Sequence, residues 1–215
     1  MNGHLAIPFR CKYLLTGLST GINFVQTHTM RKPLTFIAAS AILLLLSATP
    51  QQQTIKTTRI GDAQWMATNL DVTRYRNGDA IPQVTDPEKW KKLKTGAWCW
   101  YNNDKKNGQK FGRLYNWYAV HDPRGLAPKG WHVATNADWD QLAQALGGPE
   151  VAAGKMKEKG TWKETGSPSD NSSGFSARAG GGRANARYLS SQFNANFWTA
   201  DDSSATLAHA RFISA

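Results

Sequence analysis

The chain has 215 residues, 40% of them hydrophobic and 19% charged, which is enough for one ordinary domain with extensions or for two small domains. The formal net charge is +11, but the basic residues are dispersed. The one basic cluster, EKWKKLK at 88–94, lacks a nucleic-acid-binding motif, so nucleic acid is excluded as the expected partner. A solvated basic face is the simpler interpretation, and affinity for an acidic polysaccharide or a membrane surface is the alternative.

Residues 30–50 have the pattern of a secretory signal peptide. A basic start at Met30-Arg31-Lys32 precedes an apolar run from Leu34 to Ala48 and a polar stretch, TPQQQT. The run is shorter than the roughly 20 residues that a spanning helix needs, which favours a signal peptide over a membrane anchor. An uncleaved membrane anchor is the alternative interpretation. The pattern predicts export to the periplasm, the cell surface or the medium.

Residues 1–29 precede this signal and contain no acidic residue and no sustained periodicity. Our hypothesis is that translation starts at Met30 and that residues 1–29 are a mis-annotated extension; a long natural leader is the alternative. Cys11 lies in this segment, so the body of the chain, residues 51–215, keeps only Cys99. A single cysteine forms no internal disulfide and cannot build a four-ligand zinc site.

The first half of the body predicts short strands. Residues 54–70 indicate a hairpin around Gly61-Asp62, and Asn77-Gly78 is a strong turn signal after a second short β segment. A turn of helix is expected around 86–93. The stretch TGAWCWYNND has rings on both faces of a strand, which predicts that this strand is buried on both sides.

An unusually aromatic stretch, FGRLYNWYAV at 111–120, has the apolar spacing of an amphipathic helix. So short a helix is unstable alone and must pack on other elements. Core packing near Trp131 and Trp139 is therefore the expected role, and a ligand platform is the alternative. The residues at the positions i, i+3, i+4 and i+7 are Phe111, Leu114, Tyr115 and Tyr118.

The second half predicts a strand at 131–133 and a helix capped by Thr135 or Asn136 and closed by Gly147-Gly148. A weaker helix or loop follows, and FSARAGGGR predicts a strand that runs into a glycine turn. Two more strands flank residues 201–204. The sequence thus predicts an α+β fold with two helices, short antiparallel strands and long loops. The apolar stripe of the first helix consists of Trp139, Leu142, Ala143 and Leu146.

Four separated motifs, IGDAQWMATNL, GAWCWYNND, GRLYNWYAV and LAPKGWHVATNADWDQL, resemble the Fibrobacter succinogenes major paralogous domain, an exported bacterial family. The resemblance runs from about Thr57 to the C-terminus, within a domain placed at 51–215. GWHVATNADWDQLAQAL is also similar to a motif at the start of a helix in formylglycine-generating enzymes and other C-type lectin-like proteins. The resemblance therefore implies a C-type lectin-like fold, and the biochemical function of the family is not established.

Two departures from the family pattern concern cysteines. Family members usually end in a strand like Gly-Phe-Ser-Val-Arg-Cys-Val, whereas this chain stops at RFISA. The resemblance implies a C-terminally truncated domain with an exposed sheet edge and without the expected partner of Cys99. Ala127 stands where the family frequently has another cysteine.

Three functional hypotheses follow. The first is an exported, non-catalytic surface or binding module for a glycan or a protein, with Trp98, Trp100 and Trp162 as the ligand-binding candidates because we expect them to be partly exposed. The second is a relative of formylglycine-generating enzymes, which a single body cysteine does not support. The third is a purely structural cell-envelope protein. No catalytic motif is present, so we expect no catalytic residues.

Calcium is the only cofactor that the sequence suggests. Asp201 and Asp202 follow a predicted strand in a turn, and Asn194 and Asn196 are the only further oxygen ligands at hand. Because Ca²⁺ takes about 6–8 oxygens, a solvated acidic turn is the alternative.

Overall fold

The fold is a mixture of helices and short strands, as predicted. The structure is a computed structural model that describes residues 13–15, 55–163, 169–201 and 208–215; the predicted signal peptide lies outside these residues. None of the helices in these ranges is long and apolar enough to cross a bilayer.

The strands are β1 (Tyr13–Leu15), β2 (Thr57–Ile60), β3 (Ala63–Met66), β4 (Trp98–Cys99), β5 (Leu114–Tyr115), β6 (Trp131–Val133), β7 (Gly180–Ala184), β8 (Arg187–Ser191), β9 (Asn194–Trp198) and β10 (Ala210–Ser214). The helices are α1 (Pro87–Lys92), α2 (Lys105–Phe111), α3 (Trp117–Val120), α4 (Asn136–Ala145) and α5 (Pro149–Met156), with a 3₁₀ turn at Tyr101–Asn103.

The strands form three small sheets. One has the order β2-β3-β1-β6, a second has the order β10-β9-β7-β8, and β4 pairs with β5 alone. All of these pairings are antiparallel except that of β7 with β9. The hairpin predicted at 54–70 is confirmed as β2 and β3, and its turn contains Gly61 with a positive φ of 59°.

Aromatic rings fill the centre of the domain. Trp139 on α4 lies 5.3 Å from Trp65, 5.6 Å from Phe175 and 5.0 Å from Phe197, measured between ring centroids. All four rings are buried, and rings at these separations are attracted by more than their area burial alone. They join the β2–β3 hairpin, α4 and β9 in one core cluster.

The start of α4 is where the sequence predicted it. The Thr135 side chain accepts the backbone N–H of Asp138, and the Asp138 carboxylate accepts the N–H of Thr135 at 2.8 Å. This reciprocal pairing is a capping box and satisfies two backbone donors that a helix start leaves free. Asp138 also accepts a hydrogen bond from His132 at 3.1 Å, which ties β6 to the start of α4.

The single helix predicted over 111–120 is wrong, although the burial predicted for part of it is confirmed. Phe111 is the last residue of α2, and Gly112 ends that helix with a φ of 75°. The next two residues, Leu114 and Tyr115, form β5 and are both 0% exposed. Tyr118, on the separate helix α3, is only half-buried. The helical spacing was accidental, because a glycine that favours positive φ interrupts it.

The glycine turn predicted after residue 179 is also wrong. Gly180–Ala184 is itself a strand, β7, and its first four residues are buried. Gly181 has a φ of 61°, and a Cβ there would lie 2.2 Å from the Leu189 carbonyl oxygen, so only glycine allows β8 to approach so closely. The prediction of two helices was likewise too low, since five are present in the described ranges.

Candidate functional site

The segment after β4 presents rings and amides at the surface. Trp100 and Tyr101 are half-buried, whereas Asn102 and Asn103 are exposed. Both asparagines adopt left-handed backbone conformations, with φ of 53° and 55°. Asparagine tolerates this region better than most residues, which allows the chain to turn sharply between β4 and α2. The turn directs the segment from a buried strand out to solvent.

Trp100 is fixed in place by its neighbours. Its ring packs edge-on against Trp98 with centroids 5.4 Å apart. It also lies against Gly108 of α2, where a Cβ atom would fall 2.4 Å from the indole. Glycine at this helical position therefore makes the space that the half-exposed indole occupies.

Tyr188 of β8 completes the surface from another part of the chain. Its ring lies 5.2 Å from that of Tyr101, and its hydroxyl donates to Asn103 Oδ1 at 2.8 Å. Asn103 Nδ2 in turn donates to the Thr85 carbonyl at 3.0 Å. We call Trp100, Tyr101, Asn102, Asn103 and Tyr188 the aromatic–amide surface.

A buried arginine supports this surface from below. Arg183 is 1% exposed and donates from its two terminal nitrogens to the carbonyls of Val84 and Thr85, at 3.1 Å each. Its guanidinium carbon lies 4.6 Å from the Trp90 ring centroid and 5.0 Å from that of Tyr188. Contact with two ring faces partly compensates the desolvated charge. The arginine therefore links β7, the segment before α1 and the aromatic–amide surface.

Cys99 lies beside this arginine and is 0% exposed. Burial raises the pKa of its thiol, and the hydrogen bond with Arg183 only partly opposes this effect. Burial also raises the pKa of the neighbouring Tyr188 hydroxyl far above its usual value. Both groups are therefore protonated at neutral pH. A protonated, buried thiol is a poor nucleophile.

The three tryptophans expected to be exposed differ in their surroundings. The expectation is wrong for Trp98, which is 6% exposed because Arg113 covers its ring and its Nε1 donates to the Ile81 carbonyl at 2.8 Å. Trp100 and Trp162 are half-buried, as expected. The structure brings Trp98 and Trp100 together, whereas Trp162 packs on the core cluster around Trp139.

The acidic turn considered for calcium is described only in part. Asp201 accepts the backbone N–H of Asn136 at 2.8 Å and so binds the first turn of α4. Asp202 lies outside the described residues. Within the ranges that the structure describes, no group of three or more histidine, cysteine or acidic side chains could hold a metal ion. The proposed calcium role of the turn stays a prediction.

Sequence reasoning missed most of the aromatic–amide surface. Tyr101 and the asparagines belong to a recognised motif, but their contacts with Tyr188 span 85 residues or more of sequence. Nothing local in ARYLSS distinguishes Tyr188 or indicates its partner. Arg183 was hidden in a stretch whose glycines indicated a turn rather than a buried strand.

The fold and this surface define a small mixed α+β domain with a partly exposed aromatic cluster. The chain belongs to the Fibrobacter succinogenes major domain family, whose model matches residues 58–214. This match confirms the family resemblance read from the sequence motifs. Comparison with curated proteins and with solved structures gave no match.

Proposed function

We propose that this chain is an exported, non-catalytic binding module of C-type lectin-like fold and that its aromatic–amide surface binds a glycan. The observation that carries the proposal is the arrangement of Tyr101, Asn103 and Tyr188. Two rings that contact each other at an angle of 56° lie beside an exposed carboxamide that the Tyr188 hydroxyl and the Thr85 carbonyl hold in one orientation. Sites fixed before the ligand arrives lose less entropy on binding.

The chemistry of this surface suits a sugar. The faces of half-exposed rings contact the apolar C–H faces of a pyranose, while carboxamides donate to and accept from its hydroxyls. Asn102 and Asn103 supply exposed carboxamides at the surface, and Trp100 extends the apolar area. The burial and protonation of Cys99 support a non-catalytic role over the formylglycine-generating type. The signal-like leader supports export to the periplasm, the cell surface or the medium.

A glycan array with the purified protein, followed by calorimetric titration of the best ligand, tests this proposal. Trp100→Ala should weaken binding about tenfold or more, equivalent to about 1.4 kcal/mol. Tyr188→Phe removes only the hydroxyl that holds Asn103 and should weaken binding less. Trp162→Ala is the matched control, because that ring is also half-buried but belongs to another cluster.

Two results would count against the proposal. If a glycan binds equally well to the wild type and to Trp100→Ala, the site lies elsewhere on the domain. If no glycan binds, a protein ligand or a purely structural role in the cell envelope becomes the better explanation.

A further inference from the structure

The sheet that contains β3 and β6 is joined by a strand from far upstream. One edge of β3 pairs with β2 and its other edge with β1, while β6 pairs with β1 in the described part of the sheet. Because β1 is antiparallel to both neighbours, β3 and β6 run parallel to each other on either side of it. Adjacent strands are about 4.7–4.9 Å apart, so the gap between β3 and β6 is one strand wide.

The two strands that flank this gap belong to the interior. Trp65 and Met66 of β3 are 0% and 2% exposed, and Trp131 and Val133 of β6 are 9% and 7% exposed. Backbone N–H and C=O groups in such surroundings need hydrogen-bond partners. The edges of β3 and β6 that face the gap therefore require an extended chain between them.

The sequence places the strand that fills the gap before the predicted signal peptide. A protein that starts at Met30, or one that is cleaved near residue 50, would keep β3 and β6 but would lack β1. In either form the same backbone edges face an empty gap. The domain would then need the strand from another polypeptide.

We propose that the gap between β3 and β6 is a strand-acceptor site and that Tyr13–Leu15 binds there as a separable peptide ligand. The pairing is antiparallel on both sides, with Leu14 opposite His132 on β6 and opposite Trp65 on β3. Recognition is mainly by backbone hydrogen bonds, as in other cases of strand addition. The ligand is an extended segment without proline, which the same chain supplies when it is not cleaved.

A proline substitution in the uncleaved full-length chain tests the site. Leu14→Pro removes the backbone N–H of the residue that pairs with both β3 and β6. Ser19→Pro is the control, because it introduces a proline outside β1. Hydrogen exchange of the amides in β3 and β6 should be about tenfold faster or more in Leu14→Pro and unchanged in Ser19→Pro. Adding a synthetic peptide of residues 9–20 should restore protection, and the same peptide with the Leu14→Pro change should not.

Several outcomes would overturn the proposal. One is equal protection in the wild type and in Leu14→Pro; another is a loss of protection that excess peptide does not reverse. If Leu14→Pro fails to fold, recovery of its near-UV circular dichroism on addition of the wild-type peptide supports the proposal, and failure to recover contradicts it. A chain that begins at Met30 provides a second variant, which should bind the peptide in the same way.

Discussion

Replacing Gly108 by alanine should reveal how closely Trp100 packs on α2. Gly108 has ordinary helical backbone, so alanine there would on its own stabilise the helix by about 1 kcal/mol. The added Cβ, however, would lie 2.4 Å from the Trp100 indole, well inside van der Waals contact. Overpacking of this kind costs about 1–3 kcal/mol. The net expectation for Gly108→Ala is therefore a loss of about 0–2 kcal/mol.

A double-mutant cycle separates these two terms. In the Trp100→Ala background the clash is absent, so Gly108→Ala should increase the free energy of unfolding by about 1 kcal/mol. The coupling between the two positions should then be about 1–3 kcal/mol, which is the clash itself. Urea unfolding followed by far-UV circular dichroism measures all four proteins.

The control background is Trp162→Ala. There Gly108→Ala should lower the free energy of unfolding by as much as it does in the wild type, because the Trp162 ring packs elsewhere. If Gly108→Ala changes the stability equally with and without Trp100, the described contact is wrong. Gly108→Ala should also weaken glycan binding in the otherwise wild-type protein, because it displaces a ring of the proposed site.

Three other expectations concern the core and the response to acid. Leu114 is 0% exposed, so Leu114→Ala should lower the free energy of unfolding by about 2–5 kcal/mol in urea titrations; a loss below about 1 kcal/mol would contradict its placement. Asn116 makes three hydrogen bonds to backbone groups while 1% exposed, so Asn116→Ala should cost about 2–4 kcal/mol by the same assay, and an unchanged midpoint would argue against this network. Arg124 lowers the pKa of Asp122 from 3.8 to about 2 by hydrogen bonding, so this carboxylate stabilises the fold above pH 3.8 and the contribution disappears as the pH falls towards 2. Between pH 4 and 2 the melting temperature of the wild type should therefore fall more steeply than that of Asp122→Asn, and parallel curves would refute the coupling.

Local signals in the sequence were enough for several elements. The hairpin at 57–66, the capped start of α4 and the short helix α1 all depend on residues close together in sequence, such as Gly61, Thr135 and Asp86. Turn and cap chemistry acts over two or three residues, so a single sequence reveals it. The burial of Leu114 and Tyr115 was also predictable from their hydrophobicity, independently of the wrong helix.

The remaining features depend on contacts between distant segments. The positive φ of Gly112 divides an apparently helical stretch, and only the packing of β4 on β5 selects a strand for the next residues. The burial of Arg183 depends on carbonyls almost a hundred residues away, at Val84 and Thr85. Local propensity does not contain such information, because tertiary contacts decide these conformations.

The position of β1 also has a consequence for biosynthesis. In a chain that contains β1, this strand is synthesised before both of its partners, and β6 lies almost 120 residues later. At typical rates of synthesis, about 5–20 residues per second, β1 waits roughly 6–24 s before the second of its two partner strands exists. During that interval its backbone is available to chaperones, to the export machinery or to neighbouring nascent chains. Translation kinetics, and not only the folded energy, therefore influence which strand finally joins β3 to β6.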